Sequence, residues 1–295
     1  MHSEPFESFV APARPRAGLW RLAAGLVVIV AVYVASIAGM GMLAAVLAAW
    51  LGVRVTLDPA TLAQSPVAVL LLIYSFAGMM LGVVLAARLV HRRAVGTLFG
   101  PGARVRRDFV FGAAVMLAAF AVALPLWPGR AELVAGAPWR LWLMLLPLAL
   151  VGLLIQTAAE EMLFRGYLQQ QLAARFRSAL VWMLLPSALF GVLHYEPVMM
   201  GGNVWLVVAA TGVFGLVAAD LTARSGSLGL AWGLHFGNNV IALMLVSAGS
   251  GIEGLALYRL PAEEDHEAVL RPLIIADMAV MVLLWGVCRF WLRGR

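Results

Sequence analysis

Eight apolar runs, each about as long as a bilayer is thick, constrain this sequence more than any other feature. They cover residues 22–48, 67–90, 109–127, 141–163, 179–195, 203–221, 227–248 and 272–292. A helix needs about 20 mostly apolar residues to cross the hydrocarbon core, so each run is expected to be a membrane-spanning helix. The first run is long, and Gly39 and Gly41 are placed to kink or divide it. The fifth and sixth are near the lower length limit. Composition agrees with lipid as the solvent. Of the residues, 63% are hydrophobic and 12% charged, where a soluble domain carries roughly a quarter charged. Mean hydropathy is +0.94. The expected fold is all-α, a polytopic transmembrane helix bundle of about eight spans. Residues 1–17 read as a cytoplasmic N-terminal segment and 18–295 as one transmembrane helical domain. The N-terminal segment, with Pro5, Pro12 and Pro15, lacks the apolar stretch of a cleavable signal, so the first span itself is expected to direct insertion.

Charge sets the orientation. All 21 basic residues are Arg, and the net charge is +6. Eight spans put both termini on one side, and that side carries 16 of the Arg against 5 on the other. The positive-inside rule makes the Arg-rich side cytoplasmic, in the cell (inner) membrane. Arg residues confined to short loops between apolar runs argue against nucleic acid as a partner. The single Cys, Cys288, excludes an internal disulfide and a Cys-based metal site. The segment 249–271 carries Glu253, Glu263, Glu264, Asp265 and Glu267 and reads as a solvated outer loop.

Ionisable groups at membrane depth cost about 2.5–3.5 kcal/mol each on insertion scales, so they point to function. Three places break the apolar pattern. Glu160 and Glu161 close the fourth span, and Arg165 follows one turn after Glu161, on its face. Glu161 can pair with Arg165. Glu160 is turned about 100° away and left free, as a general base requires. Phe190 and His194 are four residues apart near the end of the fifth span, where the ring can pack over the imidazole. His235 and Asn239 share a face of the seventh span. Gly229, Gly233 and Gly237 form a separate row there that admits a neighbouring helix. His2, His91 and His266 fall in extramembrane segments. Glu, His, His and Asn from three helices can converge on one water, with a base, a second orienting group and donors for an oxyanion. Hydrolysis of an acyl or peptide bond is the reaction such a set serves.

Glu-Glu-x-x-x-Arg, Phe-x-x-x-His and His-x-x-x-Asn on successive helices resemble the CAAX protease and bacteriocin-processing (CPBP, or Abi) family of intramembrane endopeptidases, related to the type II CAAX prenyl endopeptidases. Ser225-Gly226-Ser227-Leu228 before the third motif is similar to the family's run. The resemblance covers about 141–248 and implies a catalytic cavity formed by the spans of the second half. It implies that Glu160 activates water with His194, that His235 and Asn239 hold the oxyanion from the opposite side, and that Glu161, Arg165 and Phe190 support them. It also implies a membrane-embedded or lipidated protein or peptide as substrate. No cofactor is expected. Zinc is the alternative, on Glu160, His194 and His235, although there is no His-Glu-x-x-His run and Asn is a poor zinc ligand.

Two other classes compete. A membrane adaptor or immunity-type protein of the same fold would keep the motifs without cutting. A proton-coupled transporter also uses membrane His and Glu, but would show matching broken helices in both halves. Here the three motifs all lie in the second half.

Overall fold

The computed structural model describes residues 3–52, 64–127, 132–248, 252–261 and 266–294. Arg54, Arg130 and Arg295, and Glu263, Glu264 and Asp265 of the acidic loop, lie outside the described residues, as does His2. The bundle is built from α2 (Leu19–Trp50), α3 (Pro66–Leu85), α4 (Gly102–Leu126), α5 (Trp139–Arg175), α6 (Leu180–Val192), α7 (Val204–Ser225), α8 (Gly229–Val240) and α9 (His266–Arg293), after a short α1 (Glu4–Val10). These eight longer helices follow the eight apolar runs of the sequence. Six of them are long and apolar enough to cross a bilayer, and the chain is a multi-pass membrane protein. The two shorter ones are α6 and α8, and both carry site residues. Large side chains such as Trp50, Val198 and Phe290 are exposed, which fits a surface facing lipid rather than water.

Local sequence explains the ends. Ser65 caps α3 by accepting from the Ala68 amide at 3.3 Å, with Pro66 in the first turn, where its missing N–H costs nothing. Gly226 ends α7 in the left-handed region at φ +64°. Helix α2 runs unbroken through Gly39 and Gly41, where an added Cβ would meet nothing. The N-terminal segment is not loose: Phe6 and Phe9 are buried, and Phe6 lies 4.8 Å from the Trp182 ring.

The glycine row of α8 does what its spacing predicts. A Cβ on Gly229, Gly233 or Gly237 would collide with Val105, Phe109 or Met116 of α4. Gly112 of α4 is equally close to Leu230. The two helices therefore meet backbone to backbone. The opposite side of α8 is thereby held toward α5. One element was not expected. Val134–Ala135 (β1), Val246–Ser247 (β2) and Tyr258–Arg259 (β3) form a sheet in the order β1-β3-β2, with β1 antiparallel and β2 parallel to β3. It ties the α4–α5 connection to the end of α8.

Candidate active site

Helix α5 supplies a polar face in an apolar helix. Gln156, Thr157, Glu160 and Glu161 are all buried. Their i, i+4 spacing stacks Gln156 under Glu160 and Thr157 under Glu161. Past Glu161 the helix widens into a π segment, Met162–Gln169, a local irregularity frequent at functional sites. Arg165 lies inside it, 2% exposed, and donates from Nη1 to Glu161 Oε1 at 2.9 Å. Three phenyl rings surround the guanidinium, those of Phe190, Phe214 and Phe164, at 4.9, 5.5 and 5.9 Å.

Helix α8 meets this face with Trp232, His235 and Asn239. Trp232 Nε1 donates to Thr157 Oγ1 at 3.1 Å, and Asn239 Nδ2 to Gln156 Oε1 at 2.8 Å. Between them, His235 sits against both carboxylates. Its Nδ1 is 2.8 Å from Glu161 Oε1, and its Nε2 is 3.2 Å from Glu160 Oε2. A carboxylate already paired with Arg only accepts, so Nδ1 carries a proton. The Nε2 contact is close but off the hydrogen-bond direction, and Glu160 Oε2 remains a buried acceptor without a hydrogen bond. Glu161 Oε2 is in the same condition. The sequence reading put His235 across the cavity from the carboxylates. The structure instead brackets it between them, because the glycine row presses α8 onto α4 and turns His235 toward α5.

The second motif, Phe190 and His194, belongs to the end of α6. Its helix ends at Val192, and His194 lies in the turn that follows, three residues before Pro197. His194 Nδ1 is 2.8 Å from the Phe190 carbonyl. A carbonyl only accepts, so Nδ1 bears the proton and Nε2 keeps its basic lone pair. The Phe190 ring covers this imidazole at 4.7 Å and meets His235 edge-on at 6.0 Å. Among the described residues, no hydrogen bond joins His194 to Glu160.

These groups adjoin a cavity of about 440 Å³. Its polar wall is His194, Thr211, His235, Asn238, Asn239 and Asp277, and the rest is apolar. Glu160 and Glu161 are reached from it through His235 and are not themselves on the wall. No group of three or more His, Cys, Asp or Glu side chains close enough to hold a metal occurs among the described residues. Glu160, His194 and His235 are therefore not gathered here as a ligand set.

Comparison with known proteins gives the family. The family model for type II CAAX prenyl endopeptidase, Rce1-like, matches residues 138–241. "Uncharacterized protein YyaK" of Bacillus subtilis (strain 168) is 30% identical over 259 residues, 84% of this chain and 84% of its own. The chain belongs to the Rce1-like family. No solved structure matches it. The Rce1-like match runs from the start of α5 to just past Asn239, so it contains all three motifs and the helices that carry them. It supports a CAAX-type membrane protease fold.

Sequence reasoning missed several residues of the site and of the cavity wall. Gln156 and Thr157 carried a signal, since each lies one turn before a site glutamate in an otherwise apolar run. Asp277 is an ionisable residue within the last run and carried the same signal as the glutamates. Phe214 carried none, because its place beside His235, 5.0 Å between ring centroids, depends on how α7 packs.

Proposed function

We propose that this chain is an intramembrane endopeptidase that hydrolyses a peptide bond of a membrane-associated protein or peptide. The observation that carries this reading is Glu160 Oε2, a buried carboxylate oxygen with no hydrogen bond, 3.2 Å from His235 Nε2, which lines the cavity. An orphaned buried acceptor costs about 1–3 kcal/mol, and a water molecule is the group that would satisfy it. Glu160 takes a proton from that water, assisted by the basic Nε2 of His194. The hydroxide adds to the substrate carbonyl. His235 and Asn239 donate to the resulting oxyanion. As the intermediate collapses, the proton held by Glu160 passes to the leaving amine. Glu161 and Arg165 act on the chemistry only by holding His235, and Phe190 packs against both imidazoles.

No step here runs through a metal. Metal content and chelator response of the purified protein test that choice: bound zinc together with loss of cleavage on chelation would replace the glutamate-dependent scheme. Membership of the family supports a membrane-embedded or lipidated substrate. The Arg asymmetry supports the inner membrane with both termini cytoplasmic, and an accessibility scan placing residues 92–107 outside the cell would refute that orientation. The deciding measurement is cleavage of a membrane peptide by purified protein, with Glu160→Ala and His235→Ala as controls. Loss of cleavage in both is expected. If both variants cut like wild type, the site is wrong; if wild type cuts nothing, the adaptor reading takes its place.

A further inference from the structure

The cavity wall contributed by α9 is a single helix face. Leu270, Leu273, Ile274, Asp277 and Met281 line it, at the i, i+3, i+4, i+7 spacing of one stripe. Four of the five are apolar, as a membrane helix requires. The fourth member of the stripe is a carboxylate. Asp277 lies about 16 Å along a helix of about 42 Å, inside its apolar run. Among the described residues it has no hydrogen bond or ion pair, and it is the only carboxylate among those lining the cavity. It also lies outside the residues that carry the three motifs and the family match. Structural carboxylates in this protein are partnered: Glu161 with Arg165, and Asp220 with Arg224 and Trp285. An acidic group at membrane depth faces a cavity or a partner and marks a substrate path. Asp277 faces the same cavity as His235 and Asn239, and no partner for it is found among the described residues.

We infer that Asp277 recognises a cationic side chain, Lys or Arg, of the peptide held in this cavity, and so determines specificity. The inference rests on the endopeptidase reading for the identity of the occupant. The wall that α9 contributes is otherwise apolar, and a basic group lying against it meets in Asp277 the one carboxylate among the lining residues. A neutral residue in the same place would leave Asp277 without a partner and would be disfavoured for that reason.

The test uses the full chain in vesicles of neutral phosphatidylcholine. Two fluorescent peptides of about 20 apolar residues differ only in one central residue, Lys or Gln. Wild type is expected to bind the Lys peptide at least about tenfold more tightly, the low end for a close charge pair. Asp277→Asn is expected to bring that ratio to about one. Asp277→Lys is expected to turn the preference toward a third peptide with Glu at the centre. Equal binding of Lys and Gln peptides by wild type, binding of neither, or a ratio that survives Asp277→Asn overturns the inference. Cleavage is followed on the same samples. Charge-selective binding without cleavage leaves recognition by Asp277 standing and sinks the endopeptidase reading. Cleavage without charge preference does the reverse.

Discussion

Removing the Arg165 guanidinium should destabilise the protein far more than removing the whole ion pair. Arg165 is 2% exposed and Glu161 0%, and their bond is 2.9 Å long. Neither charge can reach water if the other is lost. Truncating one partner of such a pair costs about 3–5 kcal/mol, most of it for the stranded charge. In Arg165→Met the apolar stem is replaced and the three phenyl rings keep a neighbour, but Glu161 is left with His235 Nδ1 alone. Adding Glu161→Gln removes the stranded charge and keeps an acceptor for Nδ1–H. The single variant should therefore cost about 3–5 kcal/mol and the double variant no more than about 1–2 kcal/mol. In thermal unfolding of purified protein, followed by tryptophan fluorescence, the single variant should lower the midpoint on the order of 10 °C, and the double variant should recover most of it. A loss under about 1 kcal/mol in Arg165→Met, or a double variant as unstable as the single one, would refute the claim that a stranded carboxylate is the cost.

Gly233→Leu drives a side chain into the Phe109 backbone of α4 and should cost about 3 kcal/mol, the upper end for overpacking. Gly41→Leu enters open space and should leave the unfolding midpoint unchanged or raised. Phe190→Ala removes a ring that is 2% exposed and packs on His194 and Arg165; a loss of about 3–5 kcal/mol is expected, with cleavage reduced in parallel. His91, in the loop after α3, is buried and accepts the Tyr167 hydroxyl at Nε2, with Nδ1 on the Arg16 carbonyl. Burial holds its pKa below the usual 6.5, so below about that pH the unfolded chain binds the extra proton and stability falls as pH falls. Stability measured from pH 7 to 5 should show this slope, and His91→Gln should flatten it; an unchanged slope would remove His91 as its source.

How far the sequence could be read follows the range of the interactions. Span positions came from runs within one segment and located all eight longer helices, although α4 and α9 begin six or seven residues before their runs and α5 continues to Arg175. The pairing of Glu161 with Arg165 and the covering of His194 by Phe190 are i, i+4 relations, legible because both members lie on one helix or on the turn that ends it. The glycine row was legible as a close-packed face, but not its partner, since nothing in 229–237 names α4. The strands β1 to β3 have two residues each, too few for any alternating pattern, and they form because the ends of α4, α5 and α8 converge.

The misplacement of His235 shows where the limit falls. Helix geometry puts its side chain about 200° round from Gly233, away from the glycine row. Whether that direction leads to an open cavity or to the carboxylates depends on which helix stands opposite, and the sequence does not state that. The structure puts α5 there, with Glu160 and Glu161 on either side of the ring. His235 Nδ1 is 2.8 Å from Glu161 Oε1 and Nε2 3.2 Å from Glu160 Oε2, so the imidazole stands between two buried carboxylates. Replacing His235 by Gln keeps one hydrogen bond to Glu161 and takes the ring out from between them. His235→Gln should therefore lose stability as well as cleavage. A variant that loses cleavage alone would show that the two carboxylates tolerate each other without it.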